Sequence, residues 1–154
     1  MNMQYEQFQA FIQQTGPASS NIDEIEATDD KQWAIGMSSG TAVLIDWLSE
    51  PSRLVFSTLV GRPPVDRRFI VYESLLTYNS LWHKTEGTRM ALDGTDGEVI
   101  VAFEWHIDDE ALENFDDVLS RFVDFAILWC NYVTLEYSEN GAEIPPMMMM
   151  TMLA

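Results

Sequence analysis

Between residues 53 and 82 the hydrophobic pattern changes period, and the rest of the chain is arranged around that change. Leu54, Phe56, Thr58 and Val60 alternate with Val55, Ser57 and Leu59, the two-residue period of a strand, with β-branched and aromatic side chains to match. Gly61 and the Pro63-Pro64 pair stop it. Asp66 then stands where a helix N-cap is needed, accepting from orphaned backbone N–H groups and facing the positive end of the dipole. The helix predicted over 66–81 has two apolar faces. Phe69, Tyr72, Leu75, Leu76 and Asn79 fall at spacings of three and four, a stripe that packs on a sheet. Ile70, Val71, Ser74, Tyr78 and Leu81 fill most of the remainder, and after Arg68 the only charge is Glu73. A helix apolar nearly all round is covered on both sides. In a chain this short the second cover is read as another copy of the chain, two-fold homodimers being common; the open alternative is a helix sandwiched inside one domain.

Elsewhere the periods are simpler. Residues 2–15 read as a helix with Tyr5, Phe8 and Ile12 on one stripe and Phe11 beside them, ended by Gly16-Pro17. Residues 18–30 read as a polar, acidic connector in which Ile22 and Ile25 tuck against the body. Trp33, Ile35 and Met37 alternate with small residues, Ser38-Ser39-Gly40 turns the chain, and Val43, Ile45 and Trp47 alternate with Ala42, Leu44 and Asp46. With residues 54–60 these make a three-stranded antiparallel meander. After the central helix, Arg89–Leu92 and a long strand over 98–107 flank the loop Asp93-Gly94-Thr95-Asp96-Gly97. Val99, Val101, Phe103, Trp105 and Ile107 share one face of that strand, Glu104 and His106 the other. Asp108 or Asp109 caps the last helix, Glu110 adds charge to its first turn, and Leu112, Phe115, Leu119, Phe122, Ala126, Trp129 and Val133 keep a three-four spacing along it. The order helix, three strands, helix, two strands, helix predicts an α+β fold: a curved antiparallel sheet with helices packed on it. It forms one domain over 1–135, followed at 136–154 by a tail that is acidic and then rich in Pro and Met.

Composition narrows the functions. The 25 acidic against 8 basic residues leave a formal charge of -17, which repels phosphate backbones and anionic membrane surfaces, so neither nucleic-acid binding nor membrane insertion is expected. No charged-then-apolar leader is seen, and no run approaches the roughly 20 apolar residues that span a bilayer. Cys130 is alone and cannot form an internal disulfide, which favours a reducing cytoplasm.

Candidate chemistry is sparse. Gly36-Met37-Ser38-Ser39-Gly40 matches G-x-S-x-G, but that elbow needs a strand before it and a helix after it, and here a second strand follows. The Asp93–Glu98 loop lacks calcium-ligand spacing and reads as a hairpin turn. His83, His106 and Cys130 form no zinc-ligand spacing. Paired carboxylates such as Asp108-Asp109 or Asp116-Asp117 carry little information in so acidic a chain. No catalytic residue, metal or cofactor is expected. What remains is a surface: in residues 42–48, Val43, Ile45 and Trp47 point one way and Ala42, Leu44 and Leu48 the other. One face meets helices. The second is either covered too, or is an apolar binding surface rimmed by acid, beside a strand edge able to take an extended segment.

Over about residues 5–133 the pattern resembles the class I effector chaperones of bacterial type III secretion, the CesT/SycE-like family. The likeness rests on four features. They are the aromatic amphipathic first helix; Leu59-Val60-Gly61-Arg62-Pro63-Pro64 leading to a helix with Leu75-Leu76-Thr77-Tyr78-Asn79; the Leu92-Asp93 strand end and its hairpin; and the last helix ending Phe125-Ala126-Ile127-Leu128-Trp129. The resemblance implies a cytoplasmic bacterial homodimer without enzymatic activity, holding an extended segment near the N-terminus of a secreted effector. It places the two-fold interface on Ile70, Val71, Ser74, Tyr78 and Leu81. It places effector grooves on the first helix and the meander, at Phe8, Phe11, Ile12, Trp33, Ile35, Val43, Ile45, Trp47, Leu54 and Phe56. The Pro/Met-rich tail departs from the family pattern, and whether it covers a groove, extends one or does neither stays open. A second reading fits the charge equally well: a small acidic immunity or inhibitor protein that caps a folded basic toxin domain. The partner's state, unfolded or folded, separates the two.

Overall fold

The computed structural model describes residues 3–108 and 111–135. Helix α1 (Tyr5–Ala18) is followed by strands β1 (Ile22–Asp29), β2 (Gln32–Met37), β3 (Ala42–Leu48) and β4 (Arg53–Leu59). A 3-10 turn (Val65–Arg67) leads into helix α2 (Arg68–Ser80); strands β5 (Thr88–Leu92) and β6 (Val99–His106) follow, and a second 3-10 turn (Ala111–Asn114) enters helix α3 (Phe115–Thr134). The strands form one open antiparallel sheet in the order β1-β2-β3-β4-β6-β5. This is the α+β architecture expected, with one strand more. The chain divides into two compact units, Met1–Thr58 with Phe103–Val123 and Leu59–Ala102 with Asp124–Ala154.

The additional strand is β1, where the sequence suggests a connector. Its acids are poor strand formers, but β1 is an edge strand, fastened to β2 by backbone pairing, and charged side chains are what an exposed edge tolerates best. Ile22 is buried and Ile25 half-buried. Helix α1 also runs further than expected, through Gly16 and Pro17 to Ala18, with the Ser19 N–H closing on Thr15 O. A proline in the final turn removes only one hydrogen bond there. A Cβ on Gly16 would lie 3.3 Å from Ile25 Cδ1, so the missing side chain lets the end of α1 sit close to β1.

The second unit is fastened around the segment 61–67. Gly61 has a positive φ of 95°, and a Cβ there would lie 2.5 Å from Thr134 Cγ2. Only glycine meets both demands. Arg67 is buried; its Nη1 donates to the carbonyls of Tyr132 at 2.8 Å and Leu135 at 2.7 Å, closing the C-terminal end of α3 where a cation complements the dipole. Asp66 does not cap α2: it lies in the 3-10 turn, and the N-cap position is Arg67, without a side-chain cap. The predicted α3 stripe holds. Phe115, Leu119 and Phe122 are buried in the first unit, and Ala126, Trp129 and Val133 in the second. The caps considered at Asp109 and Glu110, and the whole 136–154 tail, lie outside the described residues.

Candidate partner-binding surface

In the first unit the sheet has a covered and an open face, and the register assigns residues to each. Trp33, Ile45 and Phe56 form one cross-strand row on the covered face, with Ile35 opposite Val43 and Trp47 opposite Leu54. Phe8 of α1 stacks on Trp47 with centroids 5.5 Å apart and meets Trp33 edge-on at 5.2 Å. Phe56 packs among Phe103, Trp105, Phe115 and Phe122. This aromatic layer is the hydrophobic core.

Nine of the ten residues assigned to a partner belong to that core. Phe8, Ile12, Trp33, Ile35, Val43, Ile45, Trp47, Leu54 and Phe56 are all buried, so none presents surface to another molecule. The physical reason is area: of two alternating faces, the one carrying Trp33, Trp47 and Phe56 gains most from leaving water, and the protein's own helices take it. Phe11 alone keeps an accessible side. It lines an open groove of about 260 Å³ with Thr15, Ala18, Leu112 and Phe115, rimmed by Glu113 and Asp116.

The open face runs in the complementary rows. Ala34, Leu44 and Ser57 are opposite one another, as are Gln32, Asp46 and Val55, and Leu48 faces Arg53. Several of its polar groups lie against one another. Gln32 Nε2 donates to Asp46 Oδ1 at 2.7 Å, Arg53 Nε lies 3.0 Å from Glu104 Oε1, and His106 Nε2 lies 3.4 Å from the same oxygen. Between these pairs the face keeps apolar side chains accessible, Ala34, Leu44, Leu48 and Val55, with Ser57 beside them. The signal was present in Asp46, a carboxylate in the middle of the register 42, 44, 46, 48, which marks that face as the wet one.

Strand β1 continues both faces to the edge. Glu24 lies opposite Gly36 and Glu26 opposite Ala34, on the open side; Ile25 lies opposite Ile35 and Ala27 opposite Trp33, on the covered side. Within the sheet β1 has a neighbour on one side only.

In the second unit α2 buries much of the face expected to meet a second copy, together with Leu75 of the expected core stripe. Val71, Ser74 and Tyr78, assigned to a second copy of the chain, are buried together with Leu75, and Leu81 is half-buried. Ser74 and Tyr132 hydroxyls are 2.7 Å apart, and the Tyr78 ring meets Trp129 edge-on at 5.5 Å. Burial pushes the Tyr78 hydroxyl up to about 12, against a smaller opposing pull from Thr88. Phe69 and Leu76, assigned to the core, are 77% and 71% exposed, and Ile70 of the original interface set is 55% exposed. Pattern alone could not separate two apolar faces of similar size; on the buried one the Ser74 hydroxyl finds a partner in Tyr132.

Among the described residues no group of His, Cys, Asp and Glu is placed to hold a metal ion, and no helix is long and apolar enough to cross a membrane. Ser38 of the G-x-S-x-G match bonds Asp23 Oδ1 at 2.8 Å, in a turn between two strands.

Known structures share this arrangement. The crystal structure of the ExsC-ExsE complex aligns with a TM-score of 0.65 at 16% identity, covering 89% of this chain and 100% of the matched one. The HopA1-SchA chaperone-effector complex aligns with a TM-score of 0.57 at 13% identity, covering 81% and 97%. At such identities the likeness is one of fold, and no curated protein matches the chain in sequence. The Tir chaperone protein (CesT) family, however, matches residues 17–129, from the end of α1 into the last turns of α3, and the chain belongs to that family.

Proposed function

We propose that the protein is a type III secretion chaperone that holds an extended segment of a secreted effector, near the effector's N-terminus, and keeps it soluble and secretion-competent. The observation that carries this reading is the open face of β2–β4 running out to a strand with no outer neighbour. An extended chain can take main-chain pairing from that edge and set side chains against Ala34, Leu44, Leu48 and Val55. The similar HopA1-SchA structure is itself a chaperone with its effector, and family membership supports the same activity here. We assign no catalytic role to the chain and place it in the bacterial cytoplasm. A second copy is proposed to cover α2 through Phe69, Ile70 and Leu76, an exposed apolar stripe that water disfavours.

The test is to express the tagged chain in its own bacterium, identify what co-purifies, and measure the protease-protected fragment and the mass of the complex. Two copies around one segment that is disordered when alone is the expected result. A folded domain bound one to one would replace this reading with the inhibitor. Two variants separate surface from core. Leu44→Asp loses the partner at a stability cost of about 1–2 kcal/mol with the chain still folded, whereas Ile45→Asp, one residue along and fully buried, costs more than about 4 kcal/mol and unfolds the chain. Phe69→Arg with Leu76→Arg halves the mass of the free protein.

A further inference from the structure

We propose that the outer edge of β1 selects a cationic amphipathic strand: a segment in which Lys or Arg alternates with aliphatic residues, its cations beside Glu24 and Glu26 and its apolar residues beside Ile25 and Ala27. The proposal rests on the chaperone reading and specifies the chemistry of the segment held.

The two faces of β1 are segregated. On the open side its paired residues are Glu24 and Glu26, both exposed; on the covered side they are Ile25 and Ala27. Any strand added to this edge alternates in the same way, so every second side chain meets acid and the intervening ones meet aliphatic surface. Opposite charges across a pair stabilise and like charges destabilise, which gives the edge a preference as well as an opening.

The same argument removes the other occupants. A second β1 added to this edge brings Glu24 and Glu26 against Glu24 and Glu26 on one face. Residues 136–154 carry Glu136, Glu139 and Glu143, no lysine or arginine, and the Pro145-Pro146 pair, which cannot donate to a strand ladder. In a chain of formal charge -17, a cationic partner is also the one whose approach is accelerated.

The experiment uses three ten-residue peptides on the full chain: alternating Lys/Val, alternating Thr/Val and alternating Glu/Val. Affinity is measured by fluorescence anisotropy, and contact by amide hydrogen exchange of residues 22–29. Expected is an order Lys/Val, Thr/Val, Glu/Val, with slower exchange in β1 on binding. Glu24→Lys with Glu26→Lys, both exposed and so leaving the fold intact, weakens Lys/Val by about tenfold and strengthens Glu/Val. Glu24→Gln with Glu26→Gln brings all three together. Equal binding of the three peptides to the parent chain, with β1 protected, overturns the charge preference and leaves strand addition standing. Lys/Val binding without protection of β1, or no binding by any peptide, overturns the edge as the docking site.

Discussion

The sheet ends in two antiparallel edge strands that solve the same problem differently. An edge strand exposes backbone donors and acceptors that invite unwanted pairing. In the second unit the outer side of β5 is sealed by its own neighbours. The Asn79 carboxamide of α2 donates through Nδ2 to Met90 O and accepts at Oδ1 from Met90 N–H, both at 2.9 Å, so a side chain stands where a seventh strand would pair. The Thr88 N–H is taken by Thr85 O at 2.9 Å. In the first unit β1 has no strand outside it and carries acids instead: Asp23, Glu24, Glu26 and Asp29 are all exposed. Sealing excludes every partner, while charge excludes only those that bring more acid. That difference is why the functional reading rests on β1.

Breaking the seal gives the largest effect. Asn79→Ala leaves the Met90 N–H and C=O partly buried without their partner, for a loss of about 2 kcal/mol in urea unfolding, a few tenths being returned by the better helix propensity of alanine. Asn79→Asp keeps the acceptor for the Met90 N–H but sets a carboxylate oxygen against Met90 O, and costs at least as much. Faster amide exchange at Met90 locates the damage. Unchanged stability in both variants would show that water replaces the carboxamide freely and that β5 is as open as β1.

A smaller effect appears only in alkali. Tyr78, on the buried face of α2, holds its proton up to about pH 12 in the folded chain, where an unfolded tyrosine ionises near 10. Below pH 10 the phenol is neutral in both states and its contribution to stability is complete. Between 10 and 12 the unfolded chain releases the proton and the folded one retains it, so stability falls as pH rises, and above 12 the contribution is gone. Tyr78→Phe removes the titrating group, and its melting temperature declines less steeply over that window than the parent's. Equal slopes would mean that the hydroxyl reaches water.

Much of this was legible in the sequence. Period identified β2, β3, β4 and β6 to within a residue or two, and the α3 stripe from Phe115 to Val133 without error, because one face of each is strongly apolar and the other is not. The reading failed where two faces were nearly balanced. For α2 the inner and outer stripes differ by hydroxyls, and only the partnering of Ser74 with Tyr132 shows which is inside. For the meander the largest side chains were assigned to a partner, although size is what draws Trp33, Trp47 and Phe56 into the protein's own core. Strand β1 was missed because its acids argue against a strand, when at an edge they are what makes one tolerable. Asn79 read as one member of an apolar stripe, and its role at Met90 depends on an eleven-residue separation that period cannot reveal.

The smallest effect on stability tests the charged edge directly. Glu24→Thr with Glu26→Thr replaces two exposed acids by a β-branched residue suited to strands, so the folding free energy should move by no more than about 0.5 kcal/mol. What changes is the company the edge accepts. With both acids gone, two β1 strands meet without like charges opposite one another, and threonine pairs across strands add a small attraction. The variant is therefore expected to associate beyond the parent's oligomeric state as concentration rises, with β1 amides exchanging more slowly in the larger species. The parent should stay unchanged over the same range, and Asn79→Ala, if it associates, should protect β5 instead. A variant that remains at the parent's mass would mean that something other than Glu24 and Glu26 keeps β1 apart, and that its preference for a cation is not what guards it.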